Sequence, residues 1–369
     1  MSYYDIYTKY KDSKWNGLLE DVSKQTIERS IYSDNVNIDQ LIALLSPKAE
    51  ERLEEMASRA HEITLRYFGR TIQLYTPMYL SDYCDNECLY CGFNSKNRIK
   101  RKRLSLDEVE KEAQFISATG LKHILILTGD SRSQSPINYI KDCLETLRKY
   151  FSSVSIEIYA LTENEYKELV QEGVDGLTIY QETYDEECYK KLHPKGPKSD
   201  YLFRLDAPER GAKAGMRNIN IGVLLGLNDW RRDIFFTALH AKYLQDNFTD
   251  VEIGSSIPRI RPNIGNFKAL YEVSDKNMVQ IILVLRLFLP RLGISVSTRE
   301  DPNFRENLIG LGITRMSAGS TTRVGGHTIE VYGEGSSQFE ISDTRSVAEI
   351  MALLEKKGYQ GILKDWLPL

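Results

Sequence analysis

The residues of this 369-residue chain whose spacing carries the most chemistry are Cys84, Cys88 and Cys91, a Cys-x3-Cys-x2-Cys run inside SDYCDNECLYCGFN. Three thiolates are one short of closing a tetrahedral zinc site or of capping every iron of a cubane cluster, so the spacing implies a metal with one position open. An open iron can bind a reactant. Structural zinc recruits four Cys or His ligands in paired clusters, and neither Cys143, inside the helix-like INYIKDCLETLRKY, nor Cys188 has such a companion. The run therefore reads as an iron–sulfur site in preference to zinc, with Cys143 and Cys188 as plain interior or surface thiols. Five cysteines, odd in number and scattered, suit a reducing cytosol.

A cluster loop needs a scaffold, and the pattern around it supplies one. Residues 36 to 69 read as helices, ending in AEERLEEMASRAHEITLRYFG with apolar positions three and four apart. From Thr71 the pattern changes to eight short β-rich runs: TIQLYTPMYLS, HILILTG, VSIEIYA, DGLTIYQE, INIGVLLG, VEIGSSIP, ISVSTRE and ITRMSAGS. Helical stretches lie between them, such as SLDEVEKEAQFISATG, where Ser105 reads as an N-cap with Glu108 three residues on and Gly120 as the C-cap. Eight strands alternating with helices predict an α/β fold, a (β/α)8 TIM-type barrel, over a doubly wound open sheet. The expected organisation is a helical extension over 1–70, a barrel over 71–345, and a closing helix with a short tail over 346–369.

In such barrels the active site forms where strands end. Those ends are polar here: Thr128-Gly129-Asp130, Gln181-Glu182-Thr183, Gly226-Leu227-Asn228-Asp229, Pro258-Arg259-Ile260-Arg261-Pro262, Ser297-Thr298-Arg299-Glu300 and Ser317-Ala318-Gly319-Ser320. Together with the cysteine loop they predict one substrate cavity. A net charge of −4 argues against general nucleic-acid binding. The basic run Arg98-Ile99-Lys100-Arg101-Lys102-Arg103 is a solvated loop or a docking patch for an acidic electron donor. With no run of 18 apolar residues and a polar N-terminus, no membrane span or secretory signal is expected, and the expected location is cytoplasmic.

The cysteine run resembles the motif that marks the radical S-adenosylmethionine superfamily. The resemblance implies a [4Fe–4S] cluster whose open iron chelates S-adenosylmethionine, and a 5'-deoxyadenosyl radical formed from it. It implies further that Tyr90 in the loop binds the cofactor and that Leu127-Thr128-Gly129-Asp130 holds its amino group. Asp130 stands where close relatives carry Glu, a shorter arm. By the same resemblance, to the biotin-synthase-like branch, Glu182 meets the ribose, Arg204 the methionine carboxylate, and the segment IGVLLGLND, with Gly226, lies along the adenine.

A narrower resemblance spans residues 78 to 366. MYLSDYCDNECLYCGFNSKNRIKRK, IYQETYDEECY, RLDAPERGAKAG, SIPRIRP, STREDPNFR, SAGS and KDW are together similar to the 2-iminoacetate synthase family. That family cleaves the Cα–Cβ bond of L-tyrosine to 2-iminoacetate and p-cresol for thiamine thiazole biosynthesis. The likeness implies a thiazole synthase partner that receives the imine and a flavodoxin or ferredoxin-type reductant. A zwitterionic substrate needs a cation for its carboxylate: Arg299 is expected to supply it with Ser317 nearby, and Arg259 and Arg261 are alternatives. In the competing reading Arg299 and Glu300 pair with neighbours and brace the barrel mouth. The absence of cysteine beyond Cys188 sets the chain apart from the tyrosine lyase of hydrogenase-cofactor maturation, which carries a second cluster domain. A tryptophan lyase, a sulfur-inserting enzyme and a non-enzymatic iron–sulfur protein remain as alternatives.

Overall fold

The computed structural model describes residues 2–264, 267–328 and 337–364. All eight expected strands are present, and the first is divided in two: β1 (Thr71–Tyr75) and β2 (Pro77–Ser81). There follow β3 (His123–Thr128), β4 (Ser153–Glu157), β5 (Gly176–Glu182), β6 (Asn218–Val223), β7 (Glu252–Ser256), β8 (Gly293–Val296), β9 (Arg315–Ser317) and β10 (Gln360–Ile362).

Every pairing is parallel, in the order β10-β1-β9-β8-β7-β6-β5-β4-β3-β2. The two ends of that order meet because β1 and β2 are joined by Thr76 alone. Pro77 has no N–H to give, so the ladder to β9 stops there, and the partner changes to β3, where Leu125 N donates to Thr76 O at 3.3 Å. The split first strand thus carries the closure of the ring. A short tenth strand had not been expected: past the helix Val347–Lys356, β10 adds to the outer edge of β1. Asp365 and Trp366 of the KDW segment lie outside the described residues.

Both faces of the strands are covered, as in β6, where all six residues are buried, Asn218 and Asn220 included. Helices Trp230–Asn247 and Asp275–Phe288 pack outside. The helices of the first seventy residues dock on these two. Tyr3 Oη donates to Phe236 O at 2.7 Å, and Gln280 Nε2 donates to Leu44 O at 2.8 Å. The helix Leu106–Ala118 starts with the expected Ser105–Glu108 capping box and is followed by Gly120 at φ +94°. Near the N-terminal ends of the strands the ring interior is plugged by polar pairs, Arg315 with Glu252 at 2.7 Å and with Asn218 at 3.3 Å. The opening lies at the other end, where the strands finish.

Candidate active site

The cysteine loop follows β2 and folds over the C-terminal ends of the strands. Cys84, Cys88 and Cys91 all line one cavity there, of about 1540 Å³ counted out to solvent, together with residues from the ends of β3, β4, β5, β8 and β9. Gly129 explains how the loop can lie so low. A Cβ at that position would sit 2.2 Å from Tyr83 O and 3.2 Å from Cys84 Cβ. Any side chain would lift the loop off the end of β3.

Burial pushes the Cys84 thiol up to about 11, and the Cys88 and Cys91 thiols are also raised by burial. Protons therefore stay on these sulfurs until a metal displaces them. Two side-chain amides approach the sulfurs, Asn86 Nδ2 at 3.7 Å from Cys84 Sγ and Gln338 Nε2 at 3.8 Å from Cys91 Sγ. N–H groups aimed at sulfur are a lever by which a protein sets cluster potential. Cys143 is wholly buried in the helix Ile137–Leu147, and Cys188 donates to Leu227 O at 3.4 Å, both outside the cavity wall.

The remaining wall fits a polar ligand beside the sulfurs. Thr128 Oγ1, Asp130 Oδ1 and Ser320 Oγ are buried against the cavity without a hydrogen-bond partner among the described residues. Buried polar atoms left unpaired at one site call for a bound group to pair them. Three thiols with donated N–H groups, and orphaned oxygens next to them, suit a [4Fe–4S] cluster carrying S-adenosylmethionine at its free iron.

Asp130 keeps one oxygen for the cluster loop: its Oδ2 accepts from Asn86 Nδ2 at 2.7 Å, while Asn86 Oδ1 accepts from Lys198 N at 2.8 Å. Glu182 holds φ +70°, the left-handed region that disfavours a side chain. Although burial raises its pKa, Lys198 and Arg204 hold it below the ordinary value; its Oε1 pairs with Lys198 Nζ and lies 3.9 Å from Arg204 Nη2. Arg204 is not a surface residue of its helix: only 11% of its side chain is exposed, and its Nε donates to Tyr180 O at 2.7 Å. Tyr90 is buried, and its hydroxyl donates to His193 Nε2 at 2.7 Å because His193 Nδ1–H is committed to Tyr189 O. Burial drops the His193 pKa to about 3, which keeps the ring neutral as that acceptor.

Gly226 lies off the wall. At φ +107° its carbonyl accepts from Leu270 N at 2.8 Å and Tyr271 N at 3.1 Å, and Leu224 is the lining residue from this segment. Asp229 is spent on capping the helix Trp230–Asn247.

The arginines differ in their partners. Arg259 is taken up by Glu300, with Nε at 3.0 Å from Oε2, and by Asp275 at 2.8 Å. The bracing of the mouth that was open to Arg299 and Glu300 thus involves Glu300 alone. Arg261 bonds Ser342 Oγ. Arg299 lines the cavity with no ion pair to any described residue and stacks its guanidinium on Phe339, 3.4 Å from the ring centre. Burial lowers its pKa, while Tyr79, Tyr180, Glu182 and Glu157 oppose that shift. Ser317 also lines the cavity, its Oγ accepting from Thr298 N at 2.9 Å.

Sequence reading passed over Asn86, Lys198, Gln338, Phe339 and Glu157. The last had a signal: one carboxylate near the end of VSIEIYA, a strand otherwise apolar or hydroxyl-bearing.

The Radical SAM superfamily profile matches residues 78–238, and that of the Biotin and Thiamin Synthesis associated domain matches residues 256–360. The 2-iminoacetate synthase of Escherichia coli (strain K12) is 38% identical over 97% of this chain and 96% of its own length. Among solved structures, the FeFe-hydrogenase maturase HydG from Carboxydothermus hydrogenoformans superposes with a TM-score of 0.86 at 31% identity, over 98% of this chain and 82% of that one. Methylornithine synthase (PylB) shares the fold, with a TM-score of 0.74 at 22% identity over 91% of this chain and 97% of that one.

Proposed function

The chain belongs to the 2-iminoacetate synthase family of radical S-adenosylmethionine enzymes, and on that premise we propose that its cavity binds L-tyrosine and cleaves the Cα–Cβ bond to 2-iminoacetate and p-cresol. When bound, the cluster and S-adenosylmethionine supply hydrogen-abstracting radical chemistry, the part no side chain can perform. The chain's own residues bind, orient and seal.

Cys84, Cys88 and Cys91 would hold the cluster. The orphaned Thr128 and Asp130 oxygens would receive the cofactor's ammonium, and Arg204 and Glu182 would take its carboxylate and ribose. Arg299 carries the reading of the substrate: a guanidinium on the cavity wall with no anion bonded to it is a receptor for a carboxylate. Ser317 lies on the neighbouring strand end.

Partners follow from the same chemistry. An imine that hydrolyses in water calls for direct handover to a thiazole synthase. For the reductant, Arg101 is consumed internally, donating to Phe93 O and Asn94 O, and Lys102 pairs with Glu108. Arg98 and Lys100 stay exposed in the cysteine loop's continuation, and Leu89, next to the ligand Cys88, is 45% exposed. The exposed cations suit an acidic flavodoxin or ferredoxin-type donor. No helix among the described residues is long and apolar enough to cross a membrane, and we place the enzyme in the cytoplasm on the reduced state that its thiols require.

Anaerobically reconstituted protein given dithionite, S-adenosylmethionine and each aromatic amino acid in turn tests the reading. p-Cresol from tyrosine, with no cleavage of tryptophan, is expected. Cleavage of tryptophan and silence toward tyrosine would reverse the substrate assignment.

A further inference from the structure

Glu157 ends β4 inside the cavity, and its carboxylate makes no hydrogen bond or ion pair with any described residue. The other acidic groups on the wall are engaged. Glu182 pairs with Lys198, Glu300 with Arg259, and Asp130 accepts from Asn86. Among the described residues the wall therefore presents a carboxylate with no hydrogen-bond or ion-pair partner, Glu157, and a guanidinium with neither a hydrogen bond nor an ion pair, Arg299, whereas Arg261 is bonded to Ser342. An amino-acid zwitterion carries the matching pair.

No described residue hydrogen-bonds the Glu157 carboxylate. Three tyrosines face it: Tyr79 of β2, which donates its hydroxyl to Gln338 Oε1 at 2.8 Å, Tyr75 of β1 and Tyr180 of β5. Leu127 of β3 stands opposite in register and is apolar. The charges that act on it are Glu182, Arg299, Lys198 and Arg204. Burial and then Glu182 raise its pKa to about 7, against the pull of the three cations. That value suits proton exchange near neutrality.

Resting on the substrate reading above, we propose that Glu157 receives the α-ammonium of the bound amino acid and takes a proton from it. One N–H bond breaks and one O–H bond forms, ammonium and carboxylate becoming amine and carboxylic acid, with no other reactant required. Arg299 then anchors the carboxylate while Glu157 delivers a neutral amine to the reacting centre. Free carboxylate is the competent form, so substrate binding strengthens as pH rises through 7.

The test uses the reconstituted, S-adenosylmethionine-loaded enzyme and calorimetric affinities, without turnover. Ligands are L-tyrosine, L-phenylalanine and 3-(4-hydroxyphenyl)propanoate, which lacks the amine. For the wild type, tyrosine affinity should rise about tenfold from pH 6 to pH 8, tracking the ionised fraction of a group titrating near 7. Glu157→Gln should lose that rise, weaken tyrosine and phenylalanine about tenfold or more at pH 8, and leave the propanoate unchanged. Glu157→Asp should keep the pH dependence, and an unchanged cluster spectrum shows that both variants are intact. Equal weakening of the propanoate, or a loss confined to tyrosine with phenylalanine spared, overturns the proposal, as does a pH-flat wild type. A wild type that binds neither aromatic amino acid overturns the substrate reading beneath it.

Discussion

The guanidinium of Arg299 rests on the face of Phe339, its central carbon 3.4 Å from the ring centre. Phe339 comes from the segment after β9, so the ring that orients this arginine lies forty residues away in sequence. Stacking holds the cation flat and leaves its N–H edge free for a planar anion.

Replacing Arg299 with Ala should therefore raise the tyrosine KM by about 10- to 100-fold, the equivalent of about 1.5–3 kcal/mol for a charged hydrogen bond. Cleavage of S-adenosylmethionine without tyrosine should be spared. Arg299→Lys should recover part of the loss, because an ammonium supplies charge without the bidentate fork. An unchanged KM for Arg299→Ala, measured by p-cresol release, removes this residue from the site.

Loss of any one of Cys84, Cys88 or Cys91 to Ala should leave a chain that folds but holds no intact cluster, read from iron content and visible absorbance after anaerobic reconstitution. Cys143→Ala should keep full iron content, since that thiol is interior packing away from the cavity. Its cost should be a small loss of stability, about 1 kcal/mol.

Asp130 and Asn86 should behave as a unit. Asp130→Ala strands the Asn86 amide that also faces Cys84, costing about 1–3 kcal/mol of local order. Iron retention and S-adenosylmethionine affinity should both fall. Asp130→Asn still accepts from Asn86, so it should retain iron while binding the cofactor more weakly. Equal iron loss in both variants would mean that charge rather than the hydrogen bond secures the loop.

Stability should show the cost of Glu157. Its carboxyl is ordinary when unfolded and is raised to about 7 by burial in the fold. Between those values the unfolded chain releases a proton that the folded chain keeps, so native stability falls as pH rises through this interval and levels off above it. Glu157→Gln removes the penalty. The metal-free variant should match wild type near pH 4 and exceed it by about 1–3 kcal/mol above pH 7.5 in denaturant titrations. A constant gap across pH would contradict the shift.

Several site features were legible before any fold was known. The cysteine spacing, the eight β-rich runs and the polar strand ends each rest on local chemistry: ligand count, period and solvation. Five of the six polar ends do reach the cavity. The exception, 226–229, is mostly buried but stays off the cavity wall, Gly226 and Asp229 serving backbone needs, a loop contact and a helix cap. The division of the first strand at Pro77 was also written in the chain, yet its consequence depends on which neighbour each half meets.

What the linear chain determined is chemistry that neighbours in sequence can complete: three thiolates within eight residues, a strand period, a capping box. Which arginine is left without a hydrogen-bonding side chain was decided only in three dimensions. Arg259, Arg261 and Arg299 read alike in sequence, and the difference is that Glu300 and Asp275 fold against the first and the Ser342 hydroxyl against the second, while Phe339, which can stack but offers no acceptor, folds against the third. Glu157 is the same case in reverse: the sequence shows a lone carboxylate in its strand, but its burial and the absence of a bonded partner come from strands distant in the chain.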